Sequence, residues 1–419
     1  MAMKEEIKKN IDNPEALEKL FQTDERGFAT AFEEIYTDIE ETELIRFWKI
    51  RLEHEKPVSS SKKLFFADII KMIVTCLVTG FLIKMPAIFN FPEEFFYFRN
   101  TGLIVFGGLI LYVTLTRRDH DYKKVACTAA IMAIMAIYAN ILPATNGSDT
   151  LNLVYIHLPI LMWAFFGMVY IDFDLKNLFK RVEYIRYNGD LAVLMAIMAI
   201  AGVILSGILI TLFDTIGINI EEIYMENIAL IGVVSIPIVA TFIVRNYRSL
   251  ANKVAPVIAN IFSPLVLVAA LVFLVALAFS GKNLFEDREF LLIFNLMLLG
   301  VMAVILFSVS ETFINPTSRF NTAVLFVLSI LTIVIDGIAL SAIFYRLGAY
   351  GVTPNRLAVL GSNILLFGNL LWLILELYKV NFRKADIGRI EFSIAKYLPV
   401  YLIWVLFVVF CFPLIFGMR

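Results

Sequence analysis

Asp336 stands in the middle of an apolar segment, where an ionisable side chain is suited to bind a proton or a polar solute. It precedes Arg346 by ten residues, so in a helix it would lie about 15 Å below that end of the segment. His157, Asn295 and Asn363 would lie about 9, 9 and 12 Å below the same face. These four side chains either line one polar pocket or each bond a different helix. A pair of Asp336 and His157 would suit a proton-linked step, because histidine titrates near neutral pH.

Two arginines flank a turn between consecutive apolar runs. Gly351 allows the turn, Thr353 is suited to cap the next helix, and Pro354 is suited to its first position. Arg356 then falls in the first helical turn, where the helix dipole disfavours a cation. It therefore requires a negative partner, such as an acidic side chain, a lipid phosphate or a substrate. Arg346 and Arg356 are predicted to bind ligand together with the four residues above, and both suit a phosphate.

Known catalytic motifs are absent from the sequence. It has no His-Glu-x-x-His of metalloproteases, no Gly-x-Ser-Gly of rhomboid-type proteases and no Gly-x-Gly-Asp of intramembrane aspartyl proteases. It also has no glycine-rich nucleotide loop. We therefore predict no catalytic residue, no metal site and no cofactor, and keep an enzyme acting on lipid-linked substrates only as an alternative.

Long apolar runs position these polar residues. Hydrophobic residues make up 60% of the chain and charged residues 17%, whereas a soluble domain carries about 25% charged residues. Crossing a hydrocarbon core about 30 Å thick takes about 20 residues of helix. Eleven runs qualify, namely 64–84, 100–116, 125–142, 151–171, 191–213, 228–244, 257–280, 289–310, 322–345, 355–378 and 397–417. The predicted fold class is all-α, a polytopic bundle of about 11 transmembrane helices.

Lysine and arginine are concentrated in every second gap between the runs. One set of gaps, counted together with the end of the N-terminal segment, holds 23 lysine and arginine residues. The other set holds seven. The positive-inside rule then places the N-terminus in the cytoplasm and the C-terminus outside, in a bacterial inner membrane. The longest gaps, about 172–190 and 379–396, are expected to be cytoplasmic loops. No basic tract suits nucleic acid, so the predicted partner is the lipid bilayer.

Residues 1–58 are polar and are predicted to form a cytoplasmic module of three short helices, separate from a transmembrane domain at 64–417. Asn13, Asp24 and Thr42 are each suited to cap one of these helices. The predicted core includes Leu20, Phe21, Phe32, Phe47 and Trp48. So small a module has little core of its own, and it offers a docking surface for a cytoplasmic protein.

The turn around Gly351 is also the most distinctive motif in the chain. From Arg346 it reads Arg-x-x-x-Tyr-Gly-x-Thr-x-x-Arg-Leu, and an apolar run containing Trp372 follows. This stretch resembles the bacterial membrane family called domain of unknown function 4153. The resemblance covers most of the membrane part and leaves out residues 1–58. It implies a polytopic bacterial membrane protein and supplies neither an activity nor catalytic residues.

Two functions follow from these features. The first is a transporter or permease-like protein with an outward-facing polar pocket around Asp336 and His157. The second is a membrane sensor or assembly partner that docks a cytoplasmic protein through residues 1–58. Pro159 and Pro237 lie within the fourth and sixth runs, and they would free backbone carbonyls as in transporters. No oligomeric state is predicted.

Overall fold

The computed structural model describes most of the chain as helices joined by short connections. The described residues are 2–11, 13–36, 42–54, 59–117, 121–143, 147–215, 218–247, 263–275, 277, 279, 288–311 and 319–418. They contain no strand, which confirms the all-α fold class for this part of the chain. They fall into two compact units, Met1–Ala67 and Asp68–Arg419.

The first unit has four helices ahead of the first apolar run. They are α1 (Ala2–Lys9), α2 (Pro14–Thr23), α3 (Glu25–Ile35) and α4 (Glu43–His54). The sequence predicts three of them. Helix α1 contributes only Met3 and Ile7 to the core, too few apolar residues to produce a recognisable helical pattern.

Three polar side chains cap these helices as predicted. Asn13 accepts a hydrogen bond from the backbone N–H three residues later at 3.2 Å. Asp24 and Thr42 do the same at 2.9 Å and 3.3 Å. Each bond satisfies one of the N–H groups that the first turn of a helix leaves unpaired.

Trp48 lies at the centre of the core of this unit. It is 2% exposed, and its ring centroid lies 5.4 Å from that of Phe21 and 4.8 Å from that of Phe28. Phe32 is also buried, and Leu20 packs against the cluster from its edge. These positions confirm the predicted core at Leu20, Phe21, Phe32 and Trp48.

The prediction for Phe47 was wrong, because this side chain is 55% exposed. Ile45 and Trp48 are buried and Leu52 packs beside them, so these three residues fix the rotation of α4. Successive helical residues differ by about 100° in direction. Phe47 therefore points away from the core that its neighbour Trp48 enters.

Helices make up nearly all of the rest of the described chain. They are α5 (Ser59–Ile83), α6 (Met85–Phe89), α7 (Glu93–Thr116), α8 (Tyr122–Ile141), α9 (Asp149–Tyr170), α10 (Leu178–Thr215), α11 (Glu221–Asn246), α12 (Ser263–Val275), α13 (Arg288–Glu311), α14 (Arg319–Tyr350), α15 (Pro354–Arg383) and α16 (Gly388–Phe416). A π-helical turn interrupts α11 at Tyr224–Ala229 and α16 at Phe407–Cys411.

Nine helices within the described residues are long and apolar enough to cross a membrane. They are α5 over Phe65–Ile83, α7 to α11, and α14 to α16. Each coincides with a predicted run. Helix α12 and the apolar part of α13, Phe294–Val309, are shorter. The predicted runs 257–280 and 289–310 lie partly outside the described residues, so the total of eleven stays a prediction.

The two stretches predicted to be cytoplasmic loops, about 172–190 and 379–396, are largely helical. Helix α10 begins at Leu178 and α15 continues to Arg383. Charged residues in these stretches interrupt the apolar pattern without interrupting the helix. As a result, the charged end of α10 is a rigid part of the bundle and can contribute fixed side chains to a site.

The helices of the second unit pack closely. A Cβ atom at Gly361 of α15 would overlap the ring of Trp404 of α16, so this ring packs directly on the backbone of α15. Close contact at small residues is a main source of helix association in membranes. Helix α10, by contrast, leaves Ile197, Ile200 and Val203 more than half exposed. Apolar surfaces of this kind suit lipid chains, and the structure supports a multi-pass membrane protein.

Arg99 holds the end of α8 against α7. It is 5% exposed, and it donates hydrogen bonds to the carbonyl oxygens of Ala139, Leu142 and Pro143 at 3.1, 2.6 and 2.9 Å. The last carbonyl groups of a helix have no partner within the helix, and they carry partial negative charge. The guanidinium satisfies them, so Arg99 has a structural role.

Candidate functional site

A polar cavity of about 640 Å³ lies where α7, α9 and α11 end and α10 begins. Its charged lining residues are Asp68, Arg117, Asp172, Lys180, Glu183, Arg186, Asp190 and Arg245. Four are basic and four are acidic, so the formal charge of the lining is zero. Tyr112, Tyr170 and Tyr187 add phenol groups.

Asp172 binds two cations at the edge of this cavity. Its carboxylate accepts hydrogen bonds from Arg117 at 2.7 Å and from Lys124 at 2.5 Å. Asp172 has a φ of 60° in the turn that ends α9, which brings its side chain to the end of α7 and the start of α8. Asp172 therefore ties three helix ends together and neutralises part of the positive charge there.

A second ion pair joins the turn to α10. Lys180 lies 3.0 Å from the carboxylate of Asp174. The hydrogen bond from Lys180 holds the pKa of Asp174 below its ordinary value. This carboxylate is solvated, so the pair orders the edge of the cavity and contributes little to stability.

Asp190 lies deeper, one helical turn beyond Arg186. It is 8% exposed and lines the cavity. One of its carboxylate oxygens, Oδ1, has no hydrogen-bond partner among the described residues. Arg186 also lies 4.0 Å from the buried carboxylate of Glu391, so it is shared between two acids. A buried carboxylate oxygen without a donor is costly unless a ligand or a proton satisfies it.

The lining also carries Arg245 and a set of hydroxyl groups. Arg245 donates a hydrogen bond from Nη1 to Oγ1 of Thr116 at 2.6 Å. The hydroxyl oxygen of Tyr187 lies 2.7 Å from that of Thr241, and the rings of Tyr187 and Tyr170 are 4.6 Å apart. A guanidinium has five N–H donors, so Arg245 can bind an anionic group in addition to Thr116.

Asp336, the leading residue of the sequence analysis, is fully buried as predicted. Neither of its carboxylate oxygens has a hydrogen-bond partner among the described residues, so it does not bond His157, Asn295 or Asn363. Tyr401 of α16 lies within electrostatic reach of it.

The other three predicted polar residues are placed on separate helices. His157 of α9 is partly buried, and its Nδ1 lies 2.8 Å from the carbonyl oxygen of Leu153 in the same helix. Asn363 of α15 is 2% exposed, and its Nδ2 has no hydrogen-bond partner in the part of the chain that the structure describes. Asn295 of α13 is partly buried. None of these residues lines the polar cavity.

Arg356 finds its negative partner in the backbone. It donates hydrogen bonds to the carbonyl oxygens of Tyr350 and Gly351, each at 2.7 Å. These carbonyls lie at the end of α14, where the helix dipole is negative. Thr353 caps α15 as predicted, accepting from the N–H of Arg356 at 3.3 Å. Arg346 is partly buried on α14, and phosphate binding by the two arginines stays a prediction.

A second cavity, also of about 640 Å³, is almost wholly apolar. It lies among α5, α6, α7 and α8, with Phe91, Phe95 and Phe96 in its wall. Two amides in the wall, Asn100 and Asn140, bond each other at 3.1 Å and 2.9 Å. Their mutual bonding leaves the cavity with little polar character.

The polar cavity was not anticipated from the sequence, although a signal was present. Asp190 immediately precedes the apolar run 191–213, and Arg245 immediately follows the run 228–244. Both residues fall in the gaps between apolar runs, where the sequence alone predicts loops. Their meeting depends on which helices are neighbours, and hydropathy carries no information on that.

Comparison with known proteins adds no relative to this description. No family model matches the chain, and no curated protein or solved structure matches it. The resemblance to domain of unknown function 4153 therefore stays a prediction.

Proposed function

We propose that this chain is a permease-like membrane protein that binds a small zwitterionic solute, such as an amino acid, in the polar cavity at the start of α10. Asp190 would bind the cationic group of the solute and Arg245 its carboxylate. The other charged residues at the edge would guide either end of the solute inward.

The proposal rests above all on Asp190. Its side chain is buried, lines the cavity and has an oxygen without a donor. Bound carboxylates and amines are best recognised by groups that are already desolvated and held in place. Arg245, which donates a hydrogen bond to Thr116, supplies the complementary charge in the lining of the same cavity. A lining with equal numbers of acidic and basic residues fits a solute that carries both charges.

The proposed membrane arrangement has eleven spans, with the N-terminus in the cytoplasm of a bacterium and the C-terminus outside. The asymmetry of 23 basic residues against seven supports this orientation. The polar cavity would then open toward the cytoplasm. Transport requires access from both sides, and an outward-facing pocket around Asp336 and His157 stays a prediction, since these two side chains do not bond each other. We also retain the proposals of a 1–58 cytoplasmic module, a 64–417 membrane domain and the relationship to domain of unknown function 4153.

The test is ligand-induced stabilisation of the full chain in lipid nanodiscs. A ligand that binds only the folded protein raises Tm in proportion to the logarithm of its concentration. The panel consists of zwitterionic amino acids, simple amines and simple carboxylates. We expect stabilisation by an amino acid, and its loss in Asp190→Asn and in Arg245→Gln.

Two control variants make the same kinds of substitution at residues that do not line the cavity. Asp149→Asn and Arg383→Gln change exposed residues outside the lining, and both should respond to the amino acid as the unmodified protein does. If no compound of the panel raises Tm, or if Asp190→Asn is stabilised as much as the unmodified protein, this cavity is not the binding site of a zwitterionic solute.

The alternative function is docking of a cytoplasmic protein through residues 1–58. The exposed ring of Phe47 favours it, since a large aromatic side chain on the surface is typical of an interface. Phe47→Ala leaves the core around Trp48 intact. Site-specific photocrosslinking from position 47 in cells should yield one defined adduct if this surface docks a protein, and no adduct if it does not.

A further inference from the structure

We propose that Asp336 is a proton-binding site in the membrane interior, carrying a proton in the resting protein beside the hydrogen-bonded pair of Tyr401 and Asn369. The site is separate from the polar cavity, whose lining Asp336 does not join. It therefore does not depend on the zwitterionic solute proposed above.

Burial is the first observation behind this proposal. Asp336 is 0% exposed, and its neighbours Ile335 and Ala339 belong to an apolar cluster with Leu298 of α13 and Leu370 of α15. An ionised carboxylate in such surroundings loses its hydration without compensation, whereas a neutral carboxyl group loses far less. The surroundings therefore favour the protonated form.

No cation within the described residues is available to balance a negative charge at Asp336. Neither carboxylate oxygen has a hydrogen-bond partner among the described residues, and Arg346 lies ten residues further along α14, about 15 Å away along the axis. An ion pair is thus excluded for the side chain as placed, and a proton is the simplest neutralising ligand.

Three of the described helices that share the apolar cluster next to Asp336, α12, α13 and α15, carry no charged residue near its level. Helix α15 has no ionisable residue between Arg356 and Glu376, and α13 has none between Glu289 and Glu311. Helix α16 contributes Tyr401, and its Lys396 is exposed. Helix α12, which packs on the same cluster, also lacks ionisable residues.

The register of the α14–α15 hairpin places Asn369 at the level of Asp336. Thr322 of α14 donates a hydrogen bond to Asn381 of α15 at 2.9 Å. Counting the same number of residues from that pair along each antiparallel helix brings Asp336 opposite Phe367, two residues from Asn369. Asn369 is 2% exposed and donates from Nδ2 to the hydroxyl oxygen of Tyr401 at 2.8 Å.

This pair gives the site a way to release its proton. The hydroxyl oxygen of Tyr401 accepts from Asn369, which leaves the hydroxyl hydrogen free to be donated. When Asp336 loses its proton, the hydroxyl dipole of Tyr401 can turn toward the carboxylate and stabilise it electrostatically, without a direct hydrogen bond between the two side chains as placed. The reaction is a simple exchange in which the carboxyl O–H bond breaks and water at the membrane surface takes the proton.

Infrared spectroscopy of the full chain in a detergent without ester groups tests the protonation state directly. A protonated carboxyl group absorbs in a region separate from ionised carboxylates. At neutral pH exposed Asp and Glu residues are ionised, so only buried acids contribute there. We expect the unmodified protein to show this absorption, Asp336→Asn to lose the intensity of one carboxyl group, and the exposed control Asp149→Asn to lose none.

A second measurement uses the unmodified protein and so does not depend on a variant folding. Dicyclohexylcarbodiimide is apolar and adds to protonated carboxyl groups, giving an acylurea that peptide mapping can locate. We expect an adduct at Asp336 whose yield falls as the pH is raised. Equal carboxylic-acid absorption in Asp336→Asn and the unmodified protein would overturn the proposal. So would an unlabelled Asp336, because it would point to an ionised group.

Discussion

Gly189 of α10 lies directly against the ring of Phe307 of α13, so closely that a Cβ atom at position 189 would overlap the ring. The contact comes one residue before Asp190, which lines the polar cavity. The same contact joins the helices of the cavity to the helices around Asp336.

Gly189→Ala should separate α10 from α13 and destabilise the protein by about 1–3 kcal/mol, as overpacking does in a close-packed interior. Denaturant unfolding in detergent measures the change. Gly202→Ala on the same helix is the matched control, because a Cβ atom there meets nothing within 4 Å. A loss of stability that is the same in both variants would show that the Phe307 contact is not responsible.

Arg99→Met should leave three carbonyl oxygens at the end of α8 without donors. The methionine fills much of the same space, so the change reports mainly on hydrogen bonding. We expect a loss of about 1–3 kcal/mol for each buried group left unsatisfied and not rescued by water. Hydrogen exchange should rise in the last turn of α8 and not in α9. An unaltered exchange rate there would contradict the assigned role.

Trp48→Ala should destabilise the first unit by about 3–5 kcal/mol, because Trp48 is buried among Phe21 and Phe28. Phe47→Ala changes an exposed neighbour on the same helix and should alter stability by no more than about 0.5 kcal/mol. Hydrogen exchange of α4 in the full chain measures both. Similar effects of the two substitutions would mean that α4 packs in a different rotation.

Reporter fusions test the proposed orientation. A reporter active only outside the cytoplasm should be active when fused after Arg419 or in the turn at Gly147, and inactive after Asn246. The expectation follows from the distribution of lysine and arginine. Cytoplasmic behaviour of the fusion at Arg419 would rule out an odd number of spans, and the segment 257–310 would then be the first place to re-examine.

Much of the helical architecture follows from residues that are close together in the sequence, namely apolar runs and helix-capping residues. The nine membrane-length helices coincide with apolar runs, since only a helix pairs every backbone group inside a membrane. Asn13, Asp24 and Thr42 cap helices as predicted, because a cap depends on residues three positions apart. The burial of Asp336 was predictable for a related reason, as a carboxyl group facing lipid is unfavourable.

The neighbours of these residues depend on tertiary structure. Asp336 lies near Tyr401, separated from it by 65 positions in the chain, and it does not bond His157. Asp190 and Arg245 line one cavity only because α10 packs against α11. Lipid chains and apolar side chains are equally hydrophobic, so hydropathy locates a helix in the membrane without selecting its partners. Close contacts such as Gly189 with Phe307 make that selection, because small and large side chains fit together in only one packing of the helices.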